Sequence, residues 1–230
     1  MKHLQILSAG AAETLLRALS PQFEAANACS IESEFGNAGV IAAKLKAQQA
    51  ADLVILPDKS LRVSTQNAMV VPDTVAAVGT VGTALAVPCG QAIPPLDSID
   101  HLKQALLNSA FLYAPEWHNA TAGIHFKRVL ESLGIWNVIE PRLKTFPSGA
   151  AAMKALASAS GPCIGCTQAT EILGEPDVTF AGYLRDQFKL ETVYSAAVCV
   201  SASDETLARK FVAFITGEQS HASRAAAGFV

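Results

Sequence analysis

Small and hydroxyl-bearing residues recur where the sequence predicts that a strand gives way to a helix. Four segments share this pattern: Ser8–Ala11, Gly36–Gly39, Asn119–Gly123 and Ser148–Ala151. The first turn of a helix exposes unpaired backbone N–H groups and a partial positive charge, and small residues let an anion approach them closely. Each segment taken alone is more typical of an ordinary helix cap, but the four together predict a site that binds a small anion.

Acid–base and thiol groups are few. Glu116 and His118 stand in the loop before the third segment, and Cys163 and Cys166 have the spacing of a redox or zinc half-site. Neither a second cysteine pair nor a histidine at ligand spacing accompanies them, so we expect both thiols to pack in a buried strand. With no catalytic-triad order, phosphate-binding loop or dinucleotide-binding glycine pattern, we expect neither cofactor nor metal.

Composition excludes several classes of protein. The 230 residues include 17 Lys+Arg and 20 Asp+Glu, for a net charge of −3, and 50% are hydrophobic. The absence of a basic stretch argues against a nucleic-acid partner. No run of about 20 apolar residues predicts a membrane span. Met1–His3 leads directly into Leu4–Leu7 without the pattern of a secretory leader, so we expect a cytoplasmic location for the chain as written, or a periplasmic one if a leader was removed.

Short apolar runs alternate with Ala-rich amphipathic stretches, which predicts an α/β fold with largely parallel sheets. The predicted strands are Leu4–Leu7, Ala28–Glu34, Asp52–Leu56, Thr83–Val87, Phe111–Tyr113, Cys163–Cys166 and Val193–Val200. The predicted helices are Ala11–Leu19 (ended by Pro21), Val40–Gln49, Leu102–Leu107, Gly123–Leu133, Ala150–Ala159 and Glu205–Thr216.

An ordered set of segments along the chain resembles a known family. They are Leu4–Ala11, Phe35–Gly39, Ala51–Ile55, Tyr113–Pro115, Ala122–Phe126, Ile164–Leu173, Thr192–Ala196, Phe214–Thr216 and Ala227–Phe229. No single motif is specific, but the set resembles type II periplasmic substrate-binding proteins, in the branch of the molybdate-binding receptors of bacterial ABC importers. Aconitate isomerases resemble the same branch.

The resemblance implies a two-lobed α/β fold with a ligand cleft between the lobes. One lobe would hold residues 1–82 and 192–230, and the other residues 83–191. It implies a small anionic ligand and, if the chain is exported, an ABC permease as partner. The candidate ligand-binding residues are Ser8, Gly10, Ala11, Asn37, Ala38, Thr121, Ala122, Ser148, Gly149, Thr167 and Tyr194.

The chain also departs from the molybdate-binding pattern. The family's two loop serines align near Ala11 and near Asn37 or Ala38, and its late tyrosine aligns near Thr167 or Gln168. A small carboxylate therefore fits these residues as well as a tetrahedral oxyanion does. The alternative is an isomerase of a small di- or tricarboxylate, whose base would be His118, Glu116 or Glu171.

Overall fold

A computed structural model describes residues 2–230. The chain forms two compact units: unit 1 holds the residues up to Val81 together with Thr192–Val230, and unit 2 holds Gly82–Glu191. The chain passes from one unit to the other within two of its strands, β4 (Ala76–Pro88) and β9 (Glu191–Val198).

In chain order, the elements before β4 are β1 (Lys2–Ala9), α1 (Glu13–Asn27), β2 (Cys29–Gly36), α2 (Ala38–Lys46), β3 (Leu53–Pro57) and α3 (Asp58–Gln66). Those between β4 and β9 are α4 (Ile99–Asn108), β5 (Phe111–Pro115), α5 (Thr121–Ser132), α6 (Trp136–Ile139), β6 (Leu143–Phe146), α7 (Gly149–Ala157), β7 (Cys163–Gln168), α8 (Ala169–Leu173) and β8 (Val178–Tyr183). After β9 come α9 (Glu205–Thr216) and α10 (His221–Ala226).

The sheet of unit 1 has the strand order β2-β1-β3-β9. β1 is parallel to β2 and β3, and β9 is antiparallel to β3. Ile41, Leu45 and Leu61, from α2 and α3, pack with Val54 and Leu56 of β3. α1 buries Leu15, Leu16, Leu19 and Phe23, and the Phe23 ring meets Phe211 of α9 edge-on at 4.9 Å between centroids.

In unit 2 the strand order is β4-β7-β5-β6, and β8 also pairs with β4. β5 is parallel to β6 and β7, whereas β4 is antiparallel to β7. Phe126, Val129 and Leu130 of α5 pack against Leu112 and Ile164 of the sheet. The predicted α/β class with parallel strand pairs is confirmed, with antiparallel pairing where β4, β8 and β9 take part.

One sequence prediction was wrong. Pro21 does not end the first helix, because α1 continues through it to Asn27. Proline inside a helix loses one backbone hydrogen bond and costs about 3 kcal/mol, and burial of four large apolar side chains on α1 offsets that cost. Within residues 2–230, no helix is long and apolar enough to cross a membrane.

Candidate functional site

Three strand ends of unit 1 bring their following residues to one edge of the sheet. Since β1 pairs in parallel with β2 and β3, with Ala9 opposite Gly36 and Ser8 opposite Ile55, the residues after these strands share that edge. They are Gly10, Asn37 and Asp58. The carboxyl ends of parallel strands are the common ligand-binding edge of α/β sheets.

Asn37 has the most informative environment in unit 1. It precedes α2 in the N-cap position, but its side chain makes no capping hydrogen bond. The residue is only 6% exposed, and its amide nitrogen has no hydrogen-bond partner among residues 2–230. A buried donor without a partner costs about 1–3 kcal/mol. This N–H group, next to the first backbone N–H groups of α2, therefore matches an acceptor supplied by a ligand.

The first small-residue segment is buried tightly. Ser8 is completely buried, and its hydroxyl donates to the carbonyl of Ala9 at 3.0 Å. Gly10 and Ala11 form a buried turn of 3₁₀ helix that leads into α1. Ala38, half-buried, is the first residue of α2. The five unit 1 loop residues expected from the sequence thus occupy two neighbouring strand ends.

Tyr194 lies at the same edge, because β9 pairs it with Pro57. Its side chain is buried, and its ring meets Phe229 edge-on at 6.3 Å between centroids. Asp58, the first residue of α3, accepts a hydrogen bond from the Ser195 hydroxyl at 3.3 Å and pairs with Arg62 at 2.7 Å. Sequence reasoning missed Asp58, although its position two residues after the predicted strand Asp52–Leu56 was an available signal.

Unit 2 contains a second set of strand ends. β5 is parallel to β6 and to β7. Glu116 directly follows β5, Ser148 lies two residues after the end of β6, and Gln168 is the last residue of β7. The Ser148 hydroxyl caps α7 by accepting from the backbone N–H of Ala151 at 3.1 Å. Thr121, half-buried, and Ala122, buried, begin α5. The unit 2 residues expected from the sequence therefore share one sheet edge.

A carboxylate stands at the beginning of α7. The Thr167 hydroxyl, at the end of β7, donates to Glu171 Oε2 at 2.5 Å. Gly149 is packed so closely against this pair that a Cβ atom there would overlap both the Glu171 carboxylate and the Thr167 hydroxyl. Gly149 thus permits a close approach of Glu171 to the helix that a larger residue would prevent.

Two buried hydroxyls in the same unit lack partners. Thr83 and Thr170 are each 1% exposed, and neither side-chain oxygen has a hydrogen-bond partner in the described part of the chain. Thr83 pairs with Gln168 across β4 and β7, so it lies beside the end of β7, and Thr170 adjoins Glu171 in α8. Buried polar groups are normally satisfied, and these hydroxyls were not found from the sequence.

A backbone hydrogen bond and the contacts of Trp117 hold the loop that contains Glu116 and His118. The Glu116 N–H donates to the carbonyl of Phe146 at 2.9 Å. Trp117 meets Trp136 edge-on at 5.3 Å, and the Lys127 ammonium lies 4.8 Å from the Trp136 ring centroid and 5.9 Å from that of Trp117. The three alternative catalytic residues therefore have different surroundings. His118 is exposed and Glu116 is half-buried in the same loop, whereas Glu171 is paired with the Thr167 hydroxyl.

The two cysteines with redox spacing are packed in the interior. Cys163 and Cys166 are both free thiols on β7 and completely buried, in accord with the packing interpretation. Burial raises the pKa of the Cys166 thiol well above its ordinary value, which disfavours the reactive thiolate. Across residues 2–230, no three His, Cys, Asp or Glu side chains are grouped so that they could hold a metal ion.

Comparison with known sequences gives two findings. A family model described as bacterial extracellular solute-binding protein matches residues 4–230, nearly the whole chain. An aconitate isomerase of a Pseudomonas species is 21% identical over 221 residues, which cover 94% of this chain and 82% of the isomerase.

Comparison with solved structures identifies the fold. The periplasmic molybdate-binding protein of Azotobacter vinelandii superimposes with a TM-score of 0.84 at 17% identity, over 99% of this chain and 98% of that one. A sulfate-binding protein of Mycobacterium tuberculosis superimposes with a TM-score of 0.78 at 14% identity, over 100% and 86% respectively. At these identities the likeness establishes the two-lobed α/β fold of type II periplasmic binding proteins, as the sequence resemblance predicted.

Proposed function

Because the chain belongs to the bacterial extracellular solute-binding protein family, we propose that it is a receptor for a small anion, either an oxyanion or a small carboxylate. The observation that carries this proposal is the buried amide nitrogen of Asn37, which has no partner among the described residues and adjoins the N-terminus of α2. A buried N–H donor at a helix N-terminus is satisfied by a negatively charged acceptor.

The donors that we propose for the ligand are mostly uncharged. In unit 1 they come from Ser8, Gly10, Ala11, Asn37 and Ala38, with Tyr194 at the same sheet edge. In unit 2 they come from Thr121, Ala122, Ser148 and Gly149. Thr167 is the remaining residue that we propose for ligand binding in this unit, and its hydroxyl hydrogen is already used on Glu171. Alanine and glycine contribute backbone N–H groups without steric obstruction, and preorganised N–H groups replace the water that the anion loses on binding.

The relatives support an anion in two chemical forms. Two of similar fold are named for molybdate and sulfate, which are tetrahedral oxyanions, and the related isomerase is named for aconitate, a tricarboxylate. We propose that this receptor works outside the cytoplasm, in line with the family's description as extracellular, and that it serves an ABC permease. We also propose that the ligand-binding lobes comprise residues 1–82 with 192–230, and residues 83–191.

The test is to replace Asn37 by Asp. Aspartate has the shape of asparagine and is an equally good N-cap, so the helix is retained, but the N–H donor becomes a charged acceptor. Thermal shift with molybdate, tungstate, sulfate, citrate, and cis- and trans-aconitate first identifies a binding anion, since a ligand at 100 times its Kd stabilises by about 2.7 kcal/mol. Calorimetry should then show at least a tenfold loss of affinity in Asn37→Asp.

Asn67→Asp is the matched control, because it adds the same charge at an exposed position after α3. We expect its affinity to remain within about threefold of the wild-type value. Equal affinities of Asn37→Asp and the wild-type protein would remove Asn37 from the site and contradict the proposal.

An isomerase that acts on a small carboxylate is the second candidate, and the observation that favours it is the similarity to the aconitate isomerase. Such a reaction requires a base within hydrogen-bond reach of the substrate carbon that loses its proton. His118 is exposed, and Glu171 already accepts the Thr167 hydroxyl. These surroundings favour binding over proton transfer.

A further inference from the structure

We propose that Glu171 determines the class of ligand: the ligand group that meets the beginning of α7 is a hydroxyl that donates a hydrogen bond. The ligand would then be a small anion with its own O–H group, as in a hydroxy-carboxylate or hydrogen phosphate, and not a fully deprotonated tetrahedral dianion. This inference rests on the proposed function and specifies its chemistry in unit 2.

The position of Glu171 is the first step of the argument. Gly149 is the first residue of α7, and its missing side chain leaves the place that the Glu171 carboxylate and the Thr167 hydroxyl occupy. An anion that approached the first N–H groups of α7 would therefore meet a resident carboxylate. Like charges at such short range repel strongly in a partly buried site.

The direction of the hydrogen bonds is the second step. Thr167 uses its hydroxyl hydrogen on Glu171, so its oxygen can offer only lone pairs to a further group. An ionised carboxylate also only accepts hydrogen bonds. A ligand oxygen without hydrogen would face acceptors on both residues, whereas a ligand hydroxyl would find an acceptor.

Two further buried hydroxyls belong to the elements that adjoin Thr167 and Glu171. The buried hydroxyls of Thr83 and Thr170 have no partner in residues 2–230, and each can both donate and accept. They lie beside the end of β7 and next to Glu171, respectively. A ligand with both O–H and carboxylate or phosphoryl oxygens could use these hydroxyls in either direction.

Glu171→Gln tests the inference with little change of shape. The glutamine oxygen can still accept from Thr167, while the negative charge disappears and an N–H donor is gained. The probes are three pairs of similar anions in which only the first member has a hydroxyl group: malate and succinate, citrate and tricarballylate, hydrogen phosphate and sulfate. Calorimetry at pH 7.5 measures each Kd for the wild-type protein, Glu171→Gln, and the control Glu175→Gln from the same unit.

The expected result is at least a tenfold preference of the wild-type protein for the hydroxyl-bearing member of whichever pair binds. The pair that binds distinguishes a carboxylate ligand from a phosphate. In Glu171→Gln the preference should fall to within about threefold, chiefly because succinate, tricarballylate or sulfate binds at least tenfold more tightly. Glu175→Gln should retain the wild-type preference.

Two results would overturn the inference while leaving the proposed function intact. One is wild-type affinity for sulfate, succinate or tricarballylate that equals or exceeds the affinity for its hydroxyl-bearing partner. The other is an unchanged preference in Glu171→Gln. If none of the six probes, nor molybdate or aconitate, binds the wild-type protein at millimolar concentration, the proposed function and the inference both fail.

Discussion

Cys199 shows how a single buried side chain makes stability depend on pH. Cys199 directly follows β9, is 1% exposed and belongs to the apolar core of unit 1. Burial, together with the nearby Asp52 charge, raises the pKa of Cys199 from 9.0 to about 12. The native protein therefore keeps this proton in a pH range in which the unfolded chain releases it.

We predict that the advantage of the wild-type protein over Cys199→Ala shrinks as the pH rises above 9. Because the folded pKa is raised, the stabilisation that the neutral thiol provides is complete below pH 9 and is lost between pH 9 and about 12. The loss approaches about 1.4 kcal/mol per pH unit. Urea unfolding of both proteins at pH 8, 9.5 and 10.5 measures it, and a constant difference would contradict the assigned shift.

Candidate site residues were predictable from the sequence only where small or hydroxyl-bearing residues mark the junction of a predicted strand and helix. Asn37 and Ser148 were named as candidates for this reason, and the structure places both immediately before helices. Thr83 and Thr170 were missed because a threonine in a strand or short helix has no distinctive pattern. Their significance depends on burial and on the lack of a partner, which only three-dimensional contacts reveal.

At the scale of elements, the beginning of α2 supplies the most direct test of anion binding. Ala38 is the first residue of this helix and half-buried, whereas Ala43 is exposed on the same helix. Glutamate in a first helical turn is compatible with the helix dipole, so Ala38→Glu should fold. The new carboxylate would, however, occupy the place that we assign to the ligand.

We therefore predict at least a tenfold lower affinity for Ala38→Glu, measured by calorimetry with the anion that the wild-type protein binds. Ala43→Glu adds the same charge to the same helix and should change the affinity by less than about threefold. Circular dichroism of both variants checks that α2 and the fold are retained. Equal losses in the two variants would indicate a general charge effect and contradict a site at this helix end.

The elements missed from the sequence are short, polar or exposed. β6 has four residues, none of them buried, and α3 buries only Leu61 and Ser64 of its nine residues. β6 is too short to show apolar alternation, and α3 is polar overall with few apolar residues, so both segments resemble loops in the sequence. The elements with strong apolar patterns, including β1, β3, β5 and α9, were predicted within a few residues of their bounds.

For the whole molecule, the distinction between a receptor and an isomerase leads to a chemical prediction. We expect the protein to return cis- and trans-aconitate unchanged from heavy water, with no deuterium in their C–H positions over several hours. The reason is that no candidate base combines a buried position with freedom from other contacts. Proton NMR measures both the isomer ratio and the exchange. Exchange that requires His118 or Glu116 would contradict a function limited to binding.

The fold was predictable at this scale because many weak signals agree in order along the chain. Strand ends followed by small residues recur at Ser8, Asn37 and Ser148, and the family match extends from residue 4 to residue 230. The ligand was less predictable, because backbone N–H groups look alike for any anion. Side chains such as Glu171 distinguish anions, and their role depends on contacts such as that with Gly149.

The aromatic cluster in unit 2 gives the protein a built-in optical reporter. Trp117 and Trp136 are the two tryptophans of the chain, and Lys127 lies over both rings. Emission excited through tryptophan therefore comes from unit 2 alone and is sensitive to the loop that leads into α5. During titration with a ligand, a change in the intensity or wavelength of this tryptophan fluorescence would report a change around that loop. No attached dye would be needed, and unit 1 would not contribute to the signal.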